Sequence, residues 1–269
     1  MKAIFRNILF LSPLALVLLP GLASAQKLIT FDAPGSGSGA NQGTEAFGIN
    51  LCGTITGNVT DSGNGTHGFV RSHEGRFSEF DAPGANPVLG GTYPSAINDL
   101  DVVTGNDVDT NGVSHGFVRA ADGYIVVFDD LQAPAGNGAN QGTTPVAIND
   151  FGVIVGSYVD GNNLIHGFVR AADGKITTFD PPGASQGTYV GNINNEGVIA
   201  GTYNDANGVG HGFLRMSGTK KGTEGTVSFW MRSTVCLQRQ GTGWKIVHDH
   251  ASVPFYMDGS LRPAFDLRP

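Results

Sequence analysis

The sequence is short of charged residues and of cysteine. Asp, Glu, Lys and Arg make up 14% of its 269 residues, and the net charge is −7. Because there is no run of basic residues, we expect no nucleic-acid partner. The two cysteines, Cys52 and Cys236, lie far apart in segments of different character. They are weak grounds for a disulfide, and two small buried thiols are at least as good an interpretation.

Long hydrophobic runs are also missing, apart from one at the N-terminus. There, Lys2 and Arg6 precede an apolar core from Ile8 to Leu19, and Ala23-Ser24-Ala25 is a small-x-small cleavage site. The apolar run is too short to span a bilayer. The pattern predicts a signal peptide over residues 1–25, cleaved near Ala25, and a secreted or periplasmic mature chain without a membrane span.

Motifs for common chemistry are scarce. The metalloprotease spacing H-E-x-x-H and the redox spacing C-x-x-C are absent, and we expect no cofactor. The two tryptophans, Trp230 and Trp244, both lie beyond residue 216. Their position weakens any case for sugar stacking in the earlier part of the chain.

Glycine, by contrast, is abundant, with 41 residues, and much of it belongs to a fourfold repeat. The triplet His-Gly-Phe begins at residues 67, 115, 166 and 211, and aligning it brings the region 26–216 into register. At constant spacings each unit has Ile-Asn, Gly, Asp, the His-Gly-Phe triplet and, in the first three units, Phe-Asp. The only variable length lies between Phe-Asp and the next unit, so insertions occur in one connector.

Each unit contains four short segments rich in Val, Ile, Thr, Tyr and Phe, separated by turn signals. In the third unit these segments are 143–149, 152–159, 164–170 and 175–180. The pattern predicts an all-β fold, a β-propeller of four blades with four antiparallel strands each. The fourth unit lacks Phe-Asp, and we expect the N-terminal segment Lys27–Asp32 to pair with His211–Arg215 and close the ring. An open or partner-completed arc is the alternative.

One acid and one histidine recur in every unit, six residues apart. These candidate binding residues are Asp61, His67, Asp109, His115, Asp160, His166, Asp205 and His211. Since the same pair is present in every unit, we favour a structural role, with each pair hydrogen-bonded across a hairpin. The acids of the Phe-Asp motif, Asp32, Asp81 and Asp180, are interpreted as turn caps, and the second unit has Asp129-Asp130 in this place.

The repeat pattern Ala-Ile-Asn-x-x-Gly-x-Ile-x-Gly-x-Tyr-x-Asp, followed by His-Gly-Phe and Phe-Asp-x-Pro-Gly, resembles the extracellular repeats of the HAF family. The resemblance covers residues 27–216, and Cys52-Gly53 and Leu100-Asp101 depart from the pattern. It implies a secreted bacterial protein with a propeller-like fold and no established chemistry.

After Met216 the repeat stops. Residues 217–225 are predicted as a linker, and residues 226–269 as a β-hairpin segment with strands Thr226–Arg239 and Trp244–His250. The sequence from Val227-Ser-Phe-Trp-Met-Arg to Phe265-Asp-Leu-Arg-Pro269 resembles the end of SnoaL-like proteins. These proteins share the cone-shaped fold of ketosteroid isomerase. The preceding helices of that fold are absent, so the activity of the family is not carried over. His248 and His250 are weak candidates for metal ligands, because no third ligand is evident.

These observations favour a secreted propeller that binds an extracellular ligand or protein, with no catalytic residues assigned. Self-association through residues 226–269 is a further expectation, because the apolar face of the hairpin must be buried. The alternative is an enzyme, either a propeller hydrolase that uses carboxylates or a SnoaL-like catalyst completed by another chain.

Overall fold

The structure is a computed structural model, and it describes residues 28–88, 90–129, 138–219, 226–240 and 243–252. The predicted signal peptide lies outside the described residues. The chain divides into two units, residues 1–31 and 32–269. Of the first unit only residues 28–31 are described, and they form no strand.

The described part of the second unit consists of strands, turns and connectors. The first sheet contains β1 (Gly43–Ile49), β2 (Ile55–Thr60), β3 (Thr66–Arg71) and β4 (Phe77–Phe80). The second contains β5 (Gly91–Ile97), β6 (Val103–Val108), β7 (Ser114–Arg119) and β8 (Ile125–Phe128). The third contains β9 (Gly142–Ile148), β10 (Ile154–Val159), β11 (Ile165–Arg170) and β12 (Ile176–Phe179). The fourth contains β13 (Thr188–Ile193), β14 (Ile199–Asn204), β15 (Gly210–Thr219), β16 (Thr226–Gln240) and β17 (Gly243–Ser252).

Within each sheet, strands that follow one another in the chain pair antiparallel. The predicted all-β class and the four-strand meanders are therefore confirmed, with strand ends within two residues of those expected in the third unit. The second and third sheets are joined by one parallel bridge between Ser114 and Gly142.

The glycine that recurs in the second strand of each sheet has a steric reason. The first strand of every sheet carries an irregular register, as between Ala46 and Gly48 in β1. A Cβ on Gly57 or Gly105 would run into the backbone of that first strand. Only glycine fits where two backbones approach this closely.

Apolar side chains hold neighbouring sheets together. The Val70 and Phe80 side chains of the first sheet pack on a cluster in the second sheet that includes Ile97 and Phe117. The same positions pack the second sheet on the third and the third on the fourth. Each sheet thus covers one face of the next, and the repeat in the sequence becomes a repeat of interfaces.

The predicted closure by the N-terminal segment is not confirmed. Residues 28–32 carry no strand, and the outer edge of β15 pairs instead with β16, beginning at Leu214↔Met231. The segment after the repeat supplies a strand of 15 residues, of which residues 226–231 pair with β15 and residues 232–240 pair with β17.

The C-terminal hairpin is present as predicted, formed by β16 and β17. The predicted linker begins later than expected, because β15 continues to Thr219 and Ser217 pairs with Ser228. Within the described residues, no helix is of a length and apolarity that could cross a membrane.

Candidate functional site

The asparagine of the repeated Ile-Asn dipeptide links each sheet to the next. It ends the first strand, and its side-chain oxygen accepts backbone N–H groups of its own turn, as Asn98 does from Leu100 and Val102. Its side-chain nitrogen donates to the backbone oxygen of the next asparagine: Asn50 to Asn98 at 3.1 Å, Asn98 to Asn149 at 3.0 Å, and Asn149 to Asn194 at 3.1 Å. We call this chain of bonds the asparagine ladder.

A second ladder runs beside the first, through the residue that follows each asparagine. The Leu51 N–H donates to Asp99, the Asp99 N–H to Asp150, and the Asp150 N–H to Asn195, at 2.9 to 3.0 Å. Asp150 accepts both the Asp99 N–H and the Asn195 amide, and these bonds lower its pKa. The carboxylate of Asp150 is therefore fixed in place as an acceptor.

The two ladders surround a cavity of about 570 Å³ that is open to solvent. Three consecutive positions from each of the four sheets line it: Ile49, Asn50, Leu51, Ile97, Asn98, Asp99, Ile148, Asn149, Asp150, Ile193, Asn194 and Asn195. The Ile and Asn positions are the same in all four sheets, whereas the third position differs. Its chemistry is apolar at Leu51, acidic at Asp99 and Asp150, and amide at Asn195.

The candidate Asp and His residues lie at the opposite ends of the strands. In the first sheet His67 Nδ1 is 2.8 Å from Asp81 Oδ1, and His67 Nε2 is 3.8 Å from Asp61 Oδ2. The second and third sheets repeat this arrangement, with Nδ1 distances of 2.9 Å for His115–Asp129 and 2.7 Å for His166–Asp180. The predicted contact across the hairpin is thus the longer of two, and the Phe-Asp acid is the nearer partner.

The hairpin acids are occupied by their own turns. Asp61 Oδ1 accepts the Gly63 and Gly65 N–H groups, and the Gly65 bond is the main cause of the lowered pKa of Asp61. Backbone bonds likewise lower the pKa of Asp109 and Asp205, led by Val113 and Val209. A carboxylate held by two backbone donors is a turn cap, which agrees with the structural role favoured from the sequence.

The fourth sheet has no Phe-Asp strand, and its histidine is placed differently. His211 Nε2 lies 3.3 Å from Asp205 Oδ2. A Cβ on Gly167 would lie 2.7 Å from the Phe179 ring, whereas one on Gly212 would meet no atom within 4 Å. Within the described part of the chain, the aromatic residue that covers this glycine in the first three sheets thus has no counterpart in the fourth.

One residue breaks the repeat in the second sheet. Asp107 stands where the third and fourth sheets have Tyr158 and Tyr203, whose rings stack on their histidines at 5.0 Å. Asp107 is fully buried, and neither of its carboxylate oxygens has a hydrogen-bond partner. Burial raises the pKa of Asp107 to about 6, opposed by the charge of nearby His115.

The other candidate residues supply no assembled site. Cys52 is exposed and free, so the expectation of a buried thiol is wrong at this position. His248 and His250 lie two residues apart on β17, opposite Cys236 and Thr234, and their proposed metal role stays a prediction. Among the described residues, no group of three or more His, Cys, Asp or Glu side chains is placed to hold a metal ion.

Sequence reasoning overlooked two occurrences of the spacing G-x-S-x-G, at residues 112–116 and 183–187. That spacing marks a hydrolase nucleophile when the serine stands on a sharp turn from a strand into a helix. Ser114 begins β7, Ser185 lies in a connector, and no helix follows either of them. Neither serine has the setting of a catalytic nucleophile.

A known protein family resembles the C-terminal part of the chain. The family model of the SnoaL-like domain matches residues 209–256, which is under a fifth of the chain and includes β15, β16 and β17. The C-terminal resemblance predicted from the sequence is thereby supported, and it extends back into the last strand of the fourth repeat. No curated protein matches this chain.

Sequence reasoning also missed the cavity-lining residues and Asp107. The signals were present in both cases. The Ile-Asn dipeptide recurs at a fixed place with a variable residue after it, which indicates a rigid frame carrying a variable position. Asp107 is the one acid at a position that is otherwise Val or Tyr.

Proposed function

We propose that the four repeated sheets are blades of a β-propeller and that the chain is an exported binding module. The resemblance of the repeats to the HAF family and the signal-like N-terminus support export. The supporting geometry is that of four similar sheets, each packed on the next, around one cavity. The ligand site in this proposal is the cavity enclosed by the two ladders.

The observation that carries this proposal is the variable position on the cavity wall. A fixed asparagine holds each turn, and the residue beside it differs among Leu51, Asp99, Asp150 and Asn195. Binding sites are commonly built from such variation on a rigid frame. The Asp and His pairs at the other ends of the strands have their hydrogen-bonding groups committed to one another and to their turns.

The cavity wall favours a ligand that donates hydrogen bonds. Asp99 and Asp150 contribute carboxylates to the wall and Asn195 contributes an amide, and isoleucine side chains line the same cavity. A small molecule with amino or hydroxyl groups and an apolar body suits this combination.

The test is a thermal-shift screen of the mature chain with spermidine and with neutral oligosaccharides, followed by calorimetry on any compound that stabilises it. Asp99→Asn should weaken binding at least tenfold, because it removes a charge from the wall. The control is His166→Ala, which should lower the melting temperature and leave the dissociation constant unchanged. Loss of binding in His166→Ala with an unaltered melting curve would instead make the histidines ligand contacts.

A second candidate function rests on the match to the SnoaL-like domain over residues 209–256. In this alternative, β15 to β17 form part of a catalyst that another chain completes. Isomerisation of a 3-ketosteroid by the full chain, lost in His248→Ala and in a chain ending at residue 219, would favour it. A propeller hydrolase is disfavoured, because Asp107, the carboxyl whose pKa is strongly raised among the described residues, is fully buried and is not part of the cavity wall.

A further inference from the structure

Two faces recur in every sheet, and they meet at each interface between sheets. The leading face carries the residue three positions after the histidine: Val70, Val118, Val169 and Leu214. The trailing face carries the isoleucine before the ladder asparagine: Ile49, Ile97, Ile148 and Ile193. In the three interfaces within the chain, a leading face packs on the trailing face of the next sheet.

The two outermost faces are open in part. Ile97, Ile148 and Ile193 are 8%, 9% and 8% exposed, whereas Ile49 on the first sheet is 68% exposed. Phe47 on the same strand is exposed as well, whereas Phe69, the equivalent of the interface residue Phe117, is fully buried. At the other end, Leu214 and Ala200 are exposed, whereas Val155, the residue equivalent to Ala200 in the third sheet, is fully buried.

The asparagine ladder is open at the same two places. Asn50 begins it, and the side-chain nitrogen of Asn194 donates to no acceptor in the described part of the chain. In each inner interface this donor reaches the backbone oxygen of the next ladder asparagine. The acceptor that would continue the ladder is therefore the backbone oxygen of an Asn50.

We infer that two copies of this chain associate head to tail, with the leading face of the fourth sheet in one copy covering the trailing face of the first sheet in the other. The three interfaces within the chain supply the template for this contact. Leu214 would pack on Ile49 of the second copy, and Asn194 would donate to its Asn50. The inference rests on the packing of the sheets and does not need the proposed ligand site.

A second copy suits these faces better than the chain itself does. Ile49 and Phe47 on the first sheet and Leu214 and Ala200 on the fourth are exposed within one molecule, so the single chain leaves these parts of the two faces uncovered. A head-to-tail contact repeated in both directions closes on a two-fold axis and leaves neither face exposed. Two chains then contribute eight sheets, which is within the usual range for propellers.

The experiment measures the mass of the full mature chain in solution by light scattering after gel filtration. The wild type should have twice the mass of one chain. Ile49→Glu and Leu214→Lys should each give a single-chain mass, because each places a charge in the contact. Since both side chains are exposed in one molecule, both variants should keep the far-ultraviolet spectrum and the melting curve of a folded chain. Phe151→Glu is the matched control, because Phe151 is equally exposed in a turn of the third sheet, and this variant should remain a dimer.

Mixing the two variants distinguishes head-to-tail association from other dimers. A dimer of Ile49→Glu with Leu214→Lys has one unaltered contact and one contact with opposite charges, so the mixture should recover the double mass. A wild type with the mass of one chain would overturn the inference. A dimer that persists in both variants would overturn it too, and would place the contact elsewhere, such as at residues 226–269.

Discussion

The third and fourth sheets have the same three inner strands and differ in the strand that follows. In the third sheet, Phe179 covers Gly167, and Asp180 lies 2.7 Å from His166. In the fourth sheet, β16 pairs with β15 only from Leu214 onward, so Gly212 is uncovered and His211 has Asp205 as its carboxylate partner. The Phe-Asp strand therefore supplies both the ring that covers the glycine and the carboxylate nearest to the histidine. The His-Gly-Phe strand alone, as in the fourth sheet, has neither among the described residues.

The second and third sheets differ at one buried position. Tyr158 stacks on His166, whereas Asp107 lies beside His115 without a hydrogen bond for its carboxylate. The same backbone thus accommodates an aromatic ring and an unpaired acid.

The largest effect is expected where the ladder is buried. Asn98→Ala removes the bond to Asn149 and leaves two turn N–H groups without their acceptor, and Asn98 itself is 4% exposed. We expect a loss of about 3 kcal/mol in the free energy of unfolding, because buried donors without partners cost roughly 1–3 kcal/mol each. Urea denaturation of the wild type and of Asn98→Ala measures this loss in the free energy of unfolding. Asn207→Ala, in an exposed turn of the fourth sheet, is the control and should change stability by less than about 0.5 kcal/mol.

Much of this fold could be predicted from the sequence, because period and turn chemistry are local. Asn149-Asp150-Phe151-Gly152 marks a turn whatever surrounds it. The pairing of β15 with β16 could not be predicted in the same way, because it joins the repeat to a later segment that carries none of the repeat's spacings. The cavity was missed because it depends on bonds such as Asn50 to Asn98, which join residues 48 positions apart.

The second prediction concerns the comparison between Asp107 and Tyr158. The folded pKa of Asp107, about 6, is above its unfolded value of 3.8, so its burial destabilises the fold once the group must ionise. Stability should therefore fall as the pH rises from 4 through 6, and Asp107→Asn should remove most of this loss. Urea denaturation of the wild type and Asp107→Asn at pH 4 and pH 7.5 checks it. An equal difference between the two proteins at both pH values would contradict the account.

The third prediction sharpens the contrast between the third and fourth sheets. Gly167→Ala should lower stability by about 2 kcal/mol, because its Cβ would overlap the Phe179 ring. Gly212→Ala should be neutral or stabilising by about 0.5 kcal/mol, since the site is open and alanine suits a strand better than glycine. Both expectations are checked by comparing the midpoints of thermal unfolding of the two variants with the midpoint of the wild type. A costly Gly212→Ala would mean that an aromatic side chain covers this glycine in solution.

The fourth prediction has the smallest expected effect. His166→Ala should cost about 1–2 kcal/mol, because Asp180 loses its close partner in a half-buried site. His211→Ala should cost under about 1 kcal/mol, since His211 has one longer contact at 3.3 Å. Parallel urea titrations of the two variants compare them, and equal losses would remove the distinction between the sheets.

The central claim is that the four repeats carry both the fold and the cavity, and that β16 and β17 only extend the edge of the fourth sheet. The most direct measurement is equilibrium unfolding of a chain that spans residues 26–219, compared with the mature chain. We predict one cooperative transition and a loss of stability smaller than that of Asn98→Ala, because the ladder and all three interfaces between sheets remain. A fragment that does not fold would contradict the claim and would show that the C-terminal strands are an essential part of the fourth sheet.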